Sequence, residues 1–334
     1  MSWEWTRETL DAAERFLTER GLAQGGLSPC RIGDGHSNLT YLIGDVVLRR
    51  PPPPPMPKGA HDVLREARIL TALEGTGVPV PRVLATAQAG DVLDVPFYVM
   101  SRIDGDVVTD RLPARFADHA DRRAMGFELA DRMAQLHAVD WQVAGLADFG
   151  RPDGFNTRHL DRYDRMMRAR GDAPMPPGFD DLADWLRANI PAESGATIVH
   201  SDFRLGNVMW AKAVAPPRIA AILDWELATI GDPLLDLAYL AVCHPMPGEP
   251  LTPTQKFGTA LLEPGFPGRD EVVRRYGERS GRDVSGLGWY CALASLKLAV
   301  LYDFSHRQAR DSYYADAGQI DGFIGSGKRF AGLA

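Results

Sequence analysis

The sequence predicts an α+β protein of two lobes, a β-rich lobe over residues 1–102 and a helical lobe over residues 103–334. Short apolar runs separated by turn residues fill the chain before Gly105, and apolar residues at helical spacing follow it. The length of 334 residues points the same way, because one domain typically has roughly 100–200 residues.

The amino-terminal lobe is predicted to contain several strands and one helix that crosses them. The runs TYLI and VVLRR flank Gly44 and Asp45, which indicates a β-hairpin, and VPVPRVLATAQ and VPFYVMSRIDG are read as further strands. The segment AHDVLREARILTALEGTG has one apolar stripe and ends in glycines, as a helix does. Another amphipathic helix is expected over residues 6–20.

The carboxy-terminal lobe is predicted to be helical, with a strand-like interruption near residues 198–224. The segment GFIGSGKR near the end approaches a phosphate-binding loop, but Arg329 stands where Ser or Thr is required, so it is interpreted as a flexible tail. Besides RRAMGFELADRMAQLHAVD, helices are expected over residues 155–170, 179–190, 232–245, 254–262, 269–280 and 285–305.

Composition argues against several classes of partner. The net charge is −7 and the chain has no dense run of Lys and Arg, so neither nucleic acid nor a membrane surface is expected as a partner. Cys30, Cys243 and Cys291 are far apart, which argues against a structural zinc site and a disulfide framework. The first residues lack the layout of a signal peptide, and a cytoplasmic location is expected.

The segment IVHSDFRLGNVMW places polar residues between two apolar ends. Asp202 and Asn207 have the D-x-x-x-x-N spacing of a kinase catalytic loop, in which the Asp reaches an acceptor hydroxyl and the Asn holds Mg²⁺. On this spacing alone, a polar turn with no catalytic role is the better interpretation. Because Asp224 ends the apolar run IAAIL, where an unpaired carboxylate is costly, a second metal ligand becomes plausible. Helix capping is the alternative for Asp224.

Positive charge for a nucleotide is expected from the amino-terminal lobe. Arg49 or Arg50 ends a predicted strand, and Glu66 lies in the helix that follows. Such a pair grips the α and β phosphates in kinases, although a surface arginine and an exposed glutamate would look the same in sequence. The loop GDGHSNLTY would donate backbone N–H groups to phosphates, but Asn38 interrupts its glycine pattern.

Other polar residues near the catalytic segment are expected to support it. His200 would orient the loop, and Asp236 would either accept backbone N–H groups from the loop or complement the dipole of its own helix. Arg204 would touch the γ-phosphate or, more simply, form a salt bridge. His137, near the end of a helix, is assigned a structural role.

VHSDFRLGNVMW together with ILDWELATIGDPLLDLAYL resembles the aminoglycoside phosphotransferase family of kinase-like small-molecule kinases. GDGHSNLTY, VVLRRPP and HDVLREARIL look like the branch related to the kinase domain of acyl-CoA dehydrogenase family members 10 and 11. The resemblance implies a protein-kinase-like two-lobed fold. This sequence departs from the family pattern at two positions, because Ser201 replaces a glycine and Arg49 replaces a lysine.

The resemblance also implies roles for single residues. Asp202 would be the catalytic residue, and Asn207 and Asp224 the magnesium ligands. The residues it implies for nucleotide binding are Ser37, Arg49, Glu66 and, through backbone groups at the adenine, Ser101 and Ile103.

The function that the resemblance implies is phosphoryl transfer from ATP, with Mg²⁺, to a hydroxyl of a small molecule. A hydroxyacyl thioester is the preferred acceptor, partly because the segment SHRQARDSYY carries His306, Arg307 and Arg310 rather than acidic side chains. An aminoglycoside or choline-like alcohol remains an alternative. A second alternative is a nucleotide-binding module without catalysis. The oligomeric state is left open.

Overall fold

The chain forms two compact units in a computed structural model that describes residues 5–24, 26–33, 38–52, 61–308 and 312–333. The first unit comprises Met1–Gly105 and Ala220–Ala228, and the second comprises Asp106–Ile219 and Thr229–Ala334. The segment Ala220–Ala228 differs from the sequence-based division, which gave it to the helical lobe. It returns to the first unit, where Ile222 N–H donates to Pro79 O over 2.8 Å.

The first unit is built on an antiparallel sheet with the strand order β1-β2-β3-β5-β4. Helix α1 (Arg7–Glu19) packs through Phe16 and Leu17 on the apolar side chains of the sheet. Helix α2 (Val63–Leu73) packs against two of the strands. The strands are β1 (Cys30–Arg31), β2 (Leu39–Ile43), β3 (Val46–Arg50), β4 (Val83–Ala87) and β5 (Phe97–Ser101).

Strand alternation decides between the two arginines of β3. Successive side chains of a strand point to opposite faces, so Arg49 and Arg50 diverge. Arg49 reaches Glu66 of α2, whereas Arg50 is 3.7 Å from Asp94 on the other side. Arg49 is therefore the arginine that joins the predicted glutamate.

The second unit is mainly helical, and its central element is α8 (Leu287–Gln308), which packs against α4, α6 and α9. A short antiparallel pair joins β7 (Thr197–Val199) to β10 (Thr229–Gly231). Strand β8 (Val208–Ala211) and most of β6 (Gly105–Val107) also belong to the second unit, whereas most of β9 (Ile219–Ile222) belongs to the returning segment of the first unit. The other helices of the second unit are α3 (His119–His137), α4 (Phe155–Arg168), α5 (Phe179–Ala188), α6 (Leu234–Cys243), α7 (Arg269–Ser280) and α9 (Gln319–Phe330). The predicted helix 254–262 is a 3₁₀ segment, Gln255–Leu262.

The prediction of a flexible tail over residues 322–329 is wrong, because this segment lies in α9. The helix buries Ile320, Phe323 and Ile324 on one face. Gly327 allows close packing, since a Cβ atom there would lie 2.7 Å from Leu182 Cδ2. Of the glycines that imitate a phosphate-binding loop, Gly327 is thus a helix-packing residue, whereas a Cβ atom at Gly322 would meet nothing within 4 Å.

Helix α8 contains polar side chains although it is one of the most apolar elements. Among the described residues it is the one helix long and apolar enough to cross a membrane, and 83% of its most apolar window is buried inside the protein. Lys297 and Asp303 are buried within it. Buried charges are costly without partners, so Lys297 and Asp303 are expected to contact polar or charged groups of the elements around α8.

Candidate active site

The segment predicted to be catalytic is a tight turn between β7 and β8 of the second unit. Asn207 closes a short 3₁₀ turn, Leu205–Asn207, and its side-chain Nδ2 donates to Asp202 Oδ2 over 2.6 Å. The same amide donates to the Asp202 backbone oxygen over 2.8 Å. The predicted pair therefore lies together, with the Asp202 carboxylate half-buried and its orientation fixed by Asn207.

Ser201 precedes Asp202 with a φ of 69°, in the left-handed region that favours glycine. Asp236 lies beneath this turn at the start of α6 and accepts from the backbone N–H groups of His200 and Ser201, each over 2.6 Å. The Asp202 N–H donates to His200 Nδ1 over 3.2 Å. His200 and Asp236 thus both bind the backbone that carries Asp202.

Asp236 is fully buried and is held in turn by His137, whose Nε2 lies 3.2 Å from Asp236 Oδ2. The other ring nitrogen of His137 lies 2.7 Å from the Tyr276 hydroxyl. Burial alone would raise the pKa of Asp236, but the hydrogen bonds and charges of His137 and His200 bring it below its usual value. The carboxylate that supports the turn is therefore ionised.

Two further side chains contact Asp202. Arg204 Nε lies 3.5 Å from Asp202 Oδ1, which is the salt bridge that the sequence left as the simpler role for this arginine. Tyr239 lies close enough to Asp202 to interact with it electrostatically, and burial, reinforced by that carboxylate, raises the pKa of Tyr239 well above its usual value. Tyr239 therefore stays protonated beside Asp202.

The first unit contains a second polar cluster, centred on Arg49. Arg49 Nε donates to Glu66 Oε2 over 2.8 Å, and Arg49 Nη2 donates to Asp224 Oδ1 over 2.6 Å. Asp224 has a φ of 65°, and the Trp225 N–H that follows donates to Glu66 Oε1 over 3.2 Å. Arg49 therefore binds the side chain of Asp224, and Glu66 binds the backbone N–H of Trp225.

Charges in this cluster compensate one another. Burial would lower the pKa of Arg49, but Glu66 and Asp224 more than reverse this and raise it. Burial raises the pKa of Glu66, against the opposing effect of Arg49. The arginine therefore remains a cation, and its charge opposes the rise that burial causes in the pKa of Glu66.

The remaining nucleotide-binding predictions are only partly described by the structure. Ser37 lies outside the described residues. Ser101 ends β5, where its N–H donates to Arg82 O and its hydroxyl accepts from Arg82 N–H. Ile103 is half-buried in the extended segment between β5 and β6. A role for these residues in adenine binding stays a prediction.

The donor atoms at the predicted metal ligands suit Mg²⁺. Asn207 uses its amide nitrogen for Asp202, which leaves the amide oxygen for another partner, and Asp224 offers a carboxylate that is 33% exposed. Mg²⁺ prefers such oxygen ligands and often takes only one or two from the protein beside phosphate and water. Within the described residues, no group of three or more His, Cys, Asp and Glu side chains forms a metal site.

A small cavity opens beside Arg204 in the second unit. Its walls include Leu240, Phe257 and Leu261, together with Cys243 and His244. Burial raises the pKa of the Cys243 thiol to about 12 and lowers the pKa of His244 to about 4, so both are neutral near pH 7. Among the described lining residues, Arg204 is the single charged side chain.

The basic segment that favoured an anionic acceptor has internal partners. His306 Nδ1 lies 2.6 Å from Tyr314 O, and Arg307 Nε donates to the buried Asp303 over 2.9 Å. Arg310 lies outside the described residues. His306 and Arg307 therefore have structural contacts that the sequence analysis did not anticipate.

Sequence reasoning missed several residues of these networks. Tyr98 and Tyr239 look like ordinary apolar positions of a strand and a helix, so no signal separates them from the core. Lys297 did carry a signal, because it interrupts the apolar run ALASLKLAVLYDF. A lone cation on the buried face of a helix indicates a buried partner.

A buried histidine that is neutral near pH 7 is expected to make the free energy of unfolding fall in acid. His244 has its pKa lowered to about 4, first by burial and then by Arg269. Its stabilising contribution is complete above the unfolded pKa near 6.5 and is lost as the pH falls towards 4, by on the order of 3 kcal/mol. We expect His244→Asn to flatten the fall of the free energy of unfolding over this range, as measured by urea denaturation.

His119→Asn is the matched control, because His119 is exposed. This variant should keep the wild-type pH dependence. If the free energy of unfolding of His244→Asn falls with decreasing pH as steeply as that of the wild type, the assignment of a neutral buried imidazole to His244 is contradicted.

Taken together, the antiparallel sheet unit, the helical unit and the D-x-x-x-x-N turn define a kinase-like phosphotransferase. The chain belongs to the phosphotransferase enzyme family (APH), whose family model matches residues 29–272. A mouse relative, acyl-CoA dehydrogenase family member 10, is 30% identical over 301 residues, which cover 87% of this chain and 28% of the relative. The chain spans about a third of the length of the curated relatives it matches.

Solved structures agree with the family assignment. A Ralstonia eutropha protein described as a candidate aminoglycoside phosphotransferase is 29% identical, with a TM-score of 0.80 and coverage of 97% of this chain and 98% of that chain. The GDP complex of aminoglycoside 2'-phosphotransferase-IIIa is 19% identical, with a TM-score of 0.68 and coverage of 97% and 99%. These likenesses confirm the predicted fold class.

Proposed function

We propose that the protein transfers the γ-phosphate of ATP, with Mg²⁺, to a hydroxyl group of a small molecule, and that a hydroxyacyl thioester is the preferred class of acceptor. The observation that carries the proposal is the Asp202 carboxylate, oriented by Asn207 on a turn held by Asp236. A carboxylate fixed in this way is suited to accept one hydrogen bond from an incoming hydroxyl.

The proposed reaction depends mainly on positioning. Asp202 accepts the hydrogen bond of the acceptor hydroxyl, orients its oxygen and takes its proton late, while the bond between the γ-phosphorus and the ADP oxygen breaks. Arg49 supplies positive charge for the α and β phosphates. Asn207 and Asp224 are the side chains proposed to hold Mg²⁺, which supplies neutralisation of charge on the phosphate oxygens when bound.

The preference for the acceptor rests on the cavity beside Arg204. Its walls of Leu240, Phe257 and Leu261 suit an alkyl group, and the cation of Arg204 suits an acceptor with negative charge. A polycationic aminoglycoside would meet Arg204 without a lining carboxylate among the described residues. The lining therefore matches an uncharged or anionic alcohol better than an antibiotic or a choline-like cation, although the cavity itself has room for only a small group at the acceptor's end.

One observation favours the alternative of a nucleotide-binding module without catalysis. Arg49 donates to Asp224 over 2.6 Å, so one oxygen of a proposed metal ligand already has a cationic partner. If this contact persists when nucleotide binds, the protein would bind nucleotide without turnover. The intact pair of Asp202 and Asn207 favours the catalytic proposal.

An acceptor screen separates the two functions. The full chain is incubated with Mg²⁺ and either ATP or GTP, and nucleoside diphosphate release is measured with hydroxyacyl thioesters of increasing chain length, aminoglycosides and choline. We expect stimulation by the thioesters that is lost in Asp202→Ala and kept in Asp172→Ala, an exposed carboxylate of the same unit. Nucleotide binding with no acceptor-stimulated release would favour the module.

A further inference from the structure

Lys297 is a buried cation whose presence the proposed reaction does not explain. It lies in the middle of α8 with 4% of its surface exposed. Burial lowers the pKa of Lys297, and the nearby carboxylates of Asp202 and Asp236 oppose that effect. Burying an ammonium group is strongly unfavourable unless it gains specific contacts, so its partners indicate why this position is a lysine.

The contacts of Lys297 lead to the catalytic turn. Its Nζ donates to the backbone oxygen of Ser201 over 2.5 Å and lies 4.7 Å from the centre of the Tyr239 ring. Lys297 therefore contacts the residue that precedes Asp202 and a tyrosine that interacts electrostatically with Asp202.

These contacts complete the hydrogen bonding of the peptide before Asp202. The oxygen of the Ser201–Asp202 peptide accepts from Lys297, and its N–H donates to His200 Nδ1. The two preceding N–H groups, of His200 and Ser201, donate to Asp236. Three consecutive peptides are thus held, and Lys297 holds the last one at its oxygen while His200 holds it at its N–H.

Ser201 needs such a restraint because its φ is 69°. A residue with a Cβ atom is strained in the left-handed region, whereas glycine is not. When the bond from Lys297 is removed, Ser201 can relax towards negative φ and rotate the peptide that sets the direction of Asp202. A glycine at position 201 would occupy the left-handed region without that tendency.

We propose that Lys297 is a positioning residue that offsets the backbone strain of Ser201 and thereby keeps the Asp202 carboxylate directed at the acceptor hydroxyl. The inference rests on the proposed role of Asp202 as the catalytic residue. It deepens that proposal by naming a residue, distant in sequence, that keeps the Asp202 carboxylate in its orientation. It also gives a reason for the presence of a lysine in an apolar helix.

The test is a double-mutant cycle in the full chain, with the acceptor found in the screen. We expect Lys297→Met to lower kcat about tenfold and to leave the KM for ATP nearly unchanged, because a tenfold loss corresponds to the strain of one left-handed residue. In a Ser201→Gly background the loss caused by Lys297→Met should be much smaller. A purely structural lysine would not show this dependence on residue 201.

Ser295→Ala is the matched control. Ser295 lies on the same helix, and its buried hydroxyl has no hydrogen-bond partner among the described residues. It should keep the wild-type kcat. Circular dichroism and thermal unfolding verify that each variant is folded at the assay temperature.

Wild-type kcat in a folded Lys297→Met, or an equal loss in both backgrounds, would overturn the proposal. If Lys297→Met does not fold, Lys297→Gln takes its place, because glutamine keeps a hydrogen-bond donor. Lys297→Gln should retain most of the activity, and a folded but inactive Lys297→Gln would also overturn the proposal. Activity in Asp202→Asn would instead refute the proposed function, so the two failures are distinguishable.

Discussion

Replacing Asp202 by asparagine is expected to lower kcat by about 10²–10⁴-fold, the range that general acid–base groups typically contribute. The variant removes the charge that accepts the proton of the acceptor hydroxyl but keeps an oxygen for the Asn207 amide, which lies 2.6 Å from Asp202 Oδ2. Because the nucleotide contacts proposed for Arg49 are unaffected, the KM for ATP should change little. Steady-state kinetics with the preferred acceptor measures both values.

The control for this experiment is Asp172→Asn, which neutralises an exposed carboxylate of the same unit. It should behave like the wild type. A kcat near the wild-type value in Asp202→Asn would refute the assigned role of the carboxylate, and with it the proposed mechanism.

Replacing Arg49 by methionine is expected to destabilise the protein by about 3–5 kcal/mol, because it removes one partner of a buried ion pair. Glu66 has 2% of its side chain exposed and would lose the bond from Arg49 while keeping the bond from the Trp225 N–H. Adding Glu66→Met should recover a large part of the loss, because the uncompensated charge is then gone. Urea denaturation of the single and double variants measures the coupling.

Arg82→Met is the matched control, since Arg82 is an exposed arginine of the same unit. Its free energy of unfolding should stay within about 0.5 kcal/mol of the wild type. If Arg49→Met were equally mild, the Arg49–Glu66 pair would not be the main source of compensation for the buried glutamate. Both Arg49 variants are also expected to bind ATP more weakly, which equilibrium dialysis can measure.

Local patterns predicted the fold class and the principal polar residues of the site. Spacing identified Asp202 and Asn207, and the kinase-like order of a strand and a helix suggested that an arginine pairs with Glu66, because these features lie within single elements or adjacent ones. The choice of Arg49 over Arg50 required the family resemblance, and in the structure it follows from which face of β3 reaches α2. The roles of these residues in catalysis stay predictions.

Tertiary contacts could not be read from the sequence in the same way. Lys297 and Ser201 are separated by 96 positions and meet only because α8 packs in the centre of the second unit. The helical tail was missed because its glycines resemble a loop, although Gly327 serves a close helix contact. His306 and Arg307 looked available for a ligand because sequence gives no sign of a side chain's internal partners.

The return of Ala220–Ala228 to the first unit has a consequence for dissecting the molecule. No single cut in the chain separates the two units, since a fragment ending after Gly105 would lack Asp224 and the Trp225 N–H that Arg49 and Glu66 bind. Gene fusions or exchanges that treat the amino-terminal third as a portable module would leave these polar groups without their partners. A useful chimera must transplant both pieces together.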